Sequence, residues 1–181
     1  MIGMTRGGHA GGSAKAPPSG EVVIVRFDGR ELAVWWGPAG TIDRLAVEAG
    51  SLLTWPTADA CEIHARRAGW TGLAKEGDHS ISRSTLDFQP AQAWLRGQRA
   101  ALDPRSALNL WNFAGDVAGS IDRPWHDRGH VADRCYRKLT AANVPFLLDL
   151  TDYRPRWQVN ELRCIRHILN DAVHMLRTAL S

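Results

Sequence analysis

Histidines and cysteines are the residues here whose types best suit metal chemistry. His126-Asp127-Arg128-Gly129-His130 brings two imidazoles close together, with Cys135 a short way beyond. Zinc takes imidazole and thiolate ligands, and Cys61-Glu62-Ile63-His64 offers a further pair. The spacing argues against a site. Gly129 breaks any helix between the two histidines, Cys61 and His64 fall inside a helical stretch, and no HExxH occurs. The expectation is therefore no metal and no cofactor, with His126, His130 and Cys135 as the ligand set if one is held.

Two polar stripes offer other chemistry. Asn109, Asn112, Asp116 and Ser120 follow one another at steps of three, four and four, which puts them on one face of a helix. A carboxylate flanked by amides and a hydroxyl can position a water or hold a ligand; the same stripe is also what an ordinary solvated face looks like. Gly115 and Gly119 lie beside it. Each costs about 1 kcal/mol in a helix relative to alanine, so they suggest the close approach of another backbone. Near the C-terminus Arg163, His167, Asn170, His174 and Arg177 repeat at steps of four, three, four and three. That stripe suits anions or an acidic partner once the imidazoles are protonated, and a solvated face otherwise. Tyr153-Arg154-Pro155-Arg156-Trp157 adds two guanidinium groups beside two aromatic rings, either for an acidic protein surface or for Arg stacking on Trp157.

Tryptophan is the compositional anomaly, with eight at 35, 36, 55, 70, 94, 111, 125 and 157. Successive strand residues face opposite sides of a sheet. Trp36 therefore shares the core face with Leu32 and Val34, and Trp35 lies on the other face. Trp35 either packs beneath later helices or anchors a partner, since Trp and Arg are enriched at interface hot spots. Enzyme signatures are otherwise missing: no GxSxG elbow, no GxxxxGK[ST] loop and no GxGxxG after a strand.

Elements must position these groups. Val22 to Phe27 and Glu31 to Trp36 read as strands around an Asp28-Gly29 hairpin turn. Gly37-Pro38-Ala39-Gly40 is expected to break the sheet, Thr41 to Gly50 is ambiguous, and Ser51 to Trp55 is a further strand. Thr57 caps a helix from Ala58 to Ala68, with Gly69 just past its end. Trp70 to Ser84 reads as a loop with at most one edge strand, and Phe88 to Gly97 as a short helix. Asp103-Pro104 opens a helix to about Ser120. Val131 to Ala142 is helical, Val144 to Leu150 is a buried connection or short strand, and Trp157 to Leu180 is a long amphipathic helix.

Sheet first and helices afterwards predicts an α+β fold: a small antiparallel N-terminal sheet packed against C-terminal helices, in a single domain over residues 21–181. Residues 1–20 are Gly-, Ser-, Ala- and Pro-rich and are expected to form a flexible leader, in which Met4 could be the true start. The 181 residues carry 22 basic and 19 acidic side chains, and the excess lies wholly in residues 122–181. So slight a tilt makes nucleic acid an unlikely partner class. No apolar run is long enough to span a bilayer. Three cysteines in odd number suit a reducing cytoplasm.

The function expected from these residues is non-enzymatic binding of a protein partner, in the manner of bacterial immunity or antitoxin-like modules. Its contact residues would come from Trp35, Trp157, Arg154, Arg156, Asn109, Asn112, Asp116, Arg163, His167 and His174. The alternative is a small hydrolase or nuclease-like enzyme that works through Asn112 and Asp116 or through His126 and His130.

Overall fold

The computed structural model describes residues 14–73, 80–144 and 153–181. Its first strand, β1 (Ser19–Phe27), turns at Asp28-Gly29 into β2 (Arg30–Ala39). Both turn residues have positive φ, 48° and 73°, as a two-residue hairpin demands. The pair runs in antiparallel register from Glu21↔Trp36 to Phe27↔Arg30. Strand β2 does not stop at Gly37. It continues through Pro38, which pairs with Asp43, and β3 (Ile42–Leu45) returns along it. A small hairpin follows, β4 (Val47–Glu48) with β5 (Ser51–Leu52).

The sheet is mixed rather than antiparallel, which corrects the expectation. Strands β6 (Thr71–Gly72) and β7 (Arg83–Asp87) both pair parallel to β1, β7 from Val22↔Arg83 to Arg26↔Asp87. The physical reason lies in β1. Val22, Val23 and Val25 are fully buried, so β1 is covered on both faces and its second edge needs a partner for its backbone groups. The polar run Arg83-Ser84-Thr85 supplies that edge.

Alternation along β1 and β2 builds two apolar layers. Val23, Val25, Phe27 and Val34 face a core shared with the C-terminal helices. Val22, Ala33 and Trp35 face the opposite side, where Cys61 and Ala65 of α1 (Ala58–Arg67) cover them. Trp35 is therefore interior, with no exposed surface, and cannot anchor a partner. Its indole N–H donates to the Pro17 carbonyl at 3.0 Å, and Lys15 bridges Val47 through backbone hydrogen bonds. The expected leader is thus ordered from Lys15 to Gly20; its residues 1–13 lie outside the described residues, as does 145–150 of the expected buried connection.

Capping signals place the helices. Thr57 Oγ1 accepts from Ala60 N at 3.1 Å at the start of α1, and Gly69 follows its end with φ +76°. Helix α2 (Gln89–Leu95) leads to α3 (Pro104–Ser120), where Asp103 accepts from Ser106 N at 2.8 Å. Helix α4 (His130–Asn143) and helix α5 (Val159–Ala179) complete the layer. A reciprocal Gln158–Glu161 capping box opens α5 two residues later than Trp157. Asp28 ties the hairpin to this layer: it accepts from Arg177 at 2.7 and 3.1 Å and from Gln92 at 2.8 Å. The result is an α+β fold with α1 on one face of the sheet and α2 to α5 on the other.

Candidate functional site

Helix α3 is central, with Ala107, Leu110, Phe113, Ala114 and Val117 all fully buried. Part of its polar stripe faces the seam between the sheet and α4. Two of the stripe's members, Asn112 and Asp116, line a cleft of about 710 Å³ there. Trp36 on β2 and Asp43 and Arg44 on β3 form one wall. The segment after α3 contributes Trp125, Asp127 and Arg128, and α4 contributes Asp133, Tyr136 and Arg137.

Local packing explains how the sequence builds this wall. Ser120 Oγ accepts from Leu45 N at 2.9 Å and donates to the Asp116 carbonyl at 2.6 Å, which pins β3 to the end of α3. Ser120 is thus a strut, not a ligand group. Gly115 and Gly119 receive side chains where backbones were expected. A Cβ at Gly115 would sit 3.4 Å from the Trp125 Nε1, and one at Gly119 would sit 2.5 Å from a guanidinium nitrogen of Arg44. The two glycines are the shelf on which Trp125 and Arg44 lie.

Aromatic groups dominate the polar contacts. Trp111 donates its indole N–H to Asp127 at 2.9 Å, and its ring meets Tyr136 edge-on at 5.7 Å. The Tyr136 hydroxyl donates to Asn112 Oδ1 at 2.9 Å. The indole nitrogen of Trp125 is buried and closes no hydrogen bond, whereas that of Trp36, also buried, is directed at the Asp116 carboxyl without a close contact. Leaving such donors unpaired costs about 1–3 kcal/mol each, a cost tolerated where a ligand supplies the acceptor.

Asp116 is the electrostatic centre. Burial pushes its carboxyl up to about 7, and the negative charge of Asp43 adds to the effect. Arg44 and the nearby Trp36 indole N–H pull the other way and lose. Strongly shifted carboxyls in clefts are where acid–base work is done.

The shift has a consequence for stability. A carboxyl with a raised pKa in the folded state favours folding fully below its unfolded value of 3.8, and that contribution is lost as pH rises through about 7. Above neutrality the ionised Asp116 is a net cost. Asp116→Asn should therefore raise stability at pH 8 by about 1–2 kcal/mol, after allowance for its partial exposure, and change little at pH 4. Urea denaturation at the two pH values reads this directly, and equal effects at both would sink the assignment.

The other expected site residues do not converge here. His126 and His130 are exposed and do not line the cleft. Cys135 is fully buried on the α5 side of α4, its thiol directed to the Glu161 carbonyl at 3.7 Å and pushed up to about 12 by burial. A sealed thiol and two outward imidazoles cannot share an ion, and among the described residues no group of three or more His, Cys, Asp or Glu side chains is placed to hold one. Cys61 is also sealed, and His64 packs against Trp55 and Trp70 at 5.1 and 5.3 Å.

Arg163, His167 and His174 are exposed on α5, with His167 near Asp171 at 3.6 Å. Arg154 and Arg156 are exposed as well. Lys138, not an arginine, sits over the Trp157 ring at 5.7 Å. Asn109 does not line the cleft.

Sequence reasoning missed most of the walls: Trp36, Arg44, Trp125, Asp127 and Tyr136. The only signal for two of them was the glycine pair in α3, which marks where something must lie close. No helix among the described residues is long and apolar enough to cross a membrane. Comparison with known proteins finds no matching family model, no matching curated protein and no matching solved structure.

Proposed function

We propose that the protein holds a small organic molecule in this cleft and exchanges a proton with it through Asp116. That is the arrangement of a small enzyme of hydrolase type that works by general acid–base chemistry. The observation that supports it is the convergence of Asn112 and Asp116 with Trp36, Arg44, Trp125 and Tyr136 on one concave surface of about 710 Å³. Small-molecule sites span roughly 300–1,000 Å³ and combine apolar walls with a few placed polar groups. A carboxyl that titrates near neutrality can take a proton from water or return one to a leaving group. The free thiols of Cys61, Cys135 and Cys164 fit a reducing, cytoplasmic setting.

A thermal-shift screen of small molecules sorted by charge and ring content tests the reading. A true ligand raises the melting temperature of the wild-type chain, and Trp125→Ala and Asp116→Asn reduce or abolish that rise. If no compound stabilises the protein, or if both variants respond like wild type, the cleft is not a ligand site. Where a hydrolysable ligand emerges, Asp116→Asn should remove the limb of the rate profile near pH 7.

One observation favours a second reading, the protein-partner module of immunity or antitoxin-like kind. Ile42 and Tyr136 are 49% and 37% exposed at the lips of the cleft, beside Arg128 and Arg137. Tyr and Arg at a rim above buried Trp is hot-spot composition. On that reading Tyr136→Ala releases a stoichiometric partner from the purified complex.

A further inference from the structure

We infer that the cleft takes an organic cation, a quaternary or protonated amine seated among the rings of Trp36, Trp125 and Tyr136 and facing the carboxylates of Asp43 and Asp116. This rests on the cleft being a ligand site and specifies the charge of what it binds. Aromatic walls attract cations through their negative ring faces, and tryptophan does so best. Two partly exposed indoles and one phenol line this cleft, together with the buried Trp111.

The charges within it are unbalanced in the matching sense. Among the described residues no ion pair engages the carboxylates of Asp43, Asp116 or Asp133. Each of the three guanidinium groups of the lining has its polar contact with another group, although the charge of Arg44 still reaches Asp116. Arg44 lies on the Gly119 shelf and hydrogen-bonds the Asp43 carbonyl at 3.2 Å. Arg128 is 90% exposed and pairs with Asp127 at 3.5 Å. Arg137 turns its Nε back to the Asp133 carbonyl at 3.4 Å. Asp43 and Asp116 repel each other across the cleft, and a cation between them relieves that repulsion where a neutral or anionic ligand cannot.

A permanent cation carries no proton of its own, so any proton released on binding comes from the protein. The groups that face Asp116 are Asp43 and Arg44 from β3, the Trp36 indole from β2, Asp127 and Arg128 from the segment after α3, and Asp133, Tyr136 and Arg137 from α4. Among these, Asp116 is the carboxyl that burial carries up to about 7, so it is the proton source.

Isothermal titration of the full chain at pH 7 in two buffers of different ionisation heat, with phenyltrimethylammonium, benzoate and benzyl alcohol as probes, decides the question. The expected result is saturable one-to-one binding of the ammonium probe with net release of protons, up to about one per site. Asp116→Asn should abolish the release and weaken binding about tenfold, and Trp125→Ala should weaken it without changing the protons released per bound probe. Binding of benzoate with proton uptake, binding of benzyl alcohol as tightly as the ammonium, or ammonium binding without proton release each overturns the inference and leaves the ligand site standing. If none of the three probes binds, the cation inference falls, and the ligand site is judged separately by the wider charge-sorted screen.

Discussion

Glu161→Ala should lower the unfolding free energy by about 2–3 kcal/mol, or roughly 5–10 °C in melting temperature for a chain of this length. Glu161 is fully buried at the first turn of α5. Its carboxylate accepts from Arg134 at 3.0 Å, from Lys138 at 2.8 Å and from the Gln158 backbone N–H at 2.9 Å. Burial alone would raise its pKa, but the Gln158 N–H and the two cations outweigh it and hold the carboxyl below the ordinary range. Removing one partner of a buried pair costs most when the remaining charge stays trapped. Here Arg134 and Lys138 keep 44% and 24% of their side-chain surface exposed, so they can turn to water and the loss is moderated. The helix cap goes with the carboxylate and adds about 1 kcal/mol.

The pH dependence follows from the direction of the shift. A depressed carboxyl contributes stability above its unfolded value of 4.5, which is lost as pH falls through the lower folded value. Wild type should therefore lose stability below pH 4.5 faster than the variant does. Denaturant midpoints at pH 7 and pH 3 measure both effects. A variant as stable as wild type at pH 7 would mean the cluster contributes nothing.

Gly37→Ala should cost 3 kcal/mol or more, at the upper end of what overpacking does. The position needs no unusual backbone angle; the demand is for space. A Cβ there would run into the Ser19 carbonyl and come within 2.7 Å of Gly20 Cα. Both are backbone atoms of the paired strand and have no rotamer to escape into. Gly20 has the reciprocal problem, with its own Cβ placed 2.5 Å from the Trp36 carbonyl. Strands β1 and β2 would have to part where Trp36 enters the cleft, so the same variant should weaken any ligand. Gly40→Ala makes a fair control. Gly40 has φ +74° but nothing within 4 Å, so it should cost only about 1 kcal/mol. Similar losses at the two positions, read from urea unfolding, would rule out the close approach.

Local signals were legible and distant ones were not. Thr57, Asp103 and the Asp28-Gly29 turn act through hydrogen bonds or φ angles a few residues away, and each stands where its chemistry puts it. The long period of α5 likewise depends only on its own sequence. The pairing of β7 with β1 depends on an edge left open far away, and Arg83-Ser84-Thr85 carries little of the β-branched signal by which a strand is read. Of the α3 stripe, Asn112 and Asp116 meet at one cleft and Asn109 does not, and whether that face met water or a wall depended on β3 and α4. Gly115 and Gly119 announced crowding without saying that an indole and a guanidinium would supply it. The cleft was therefore half visible: its carboxylate and amide could be read, its aromatic walls could not.

The parallel pairing of β1 with β7 also sets an order of events for the nascent polypeptide. Val22 and Arg83 meet although they lie roughly sixty residues apart, and such distant partners slow collapse because chain closure precedes any reward. The β1–β2 hairpin can zip early by itself, but apart from the short pairing of Ser19 and Gly20 with β6, β1 stays bare along its other edge until α1 has crossed over and delivered β7. A ribosome that stalled before Arg83 would leave that edge open to a neighbouring copy, making the middle of synthesis the moment of greatest risk for aggregation.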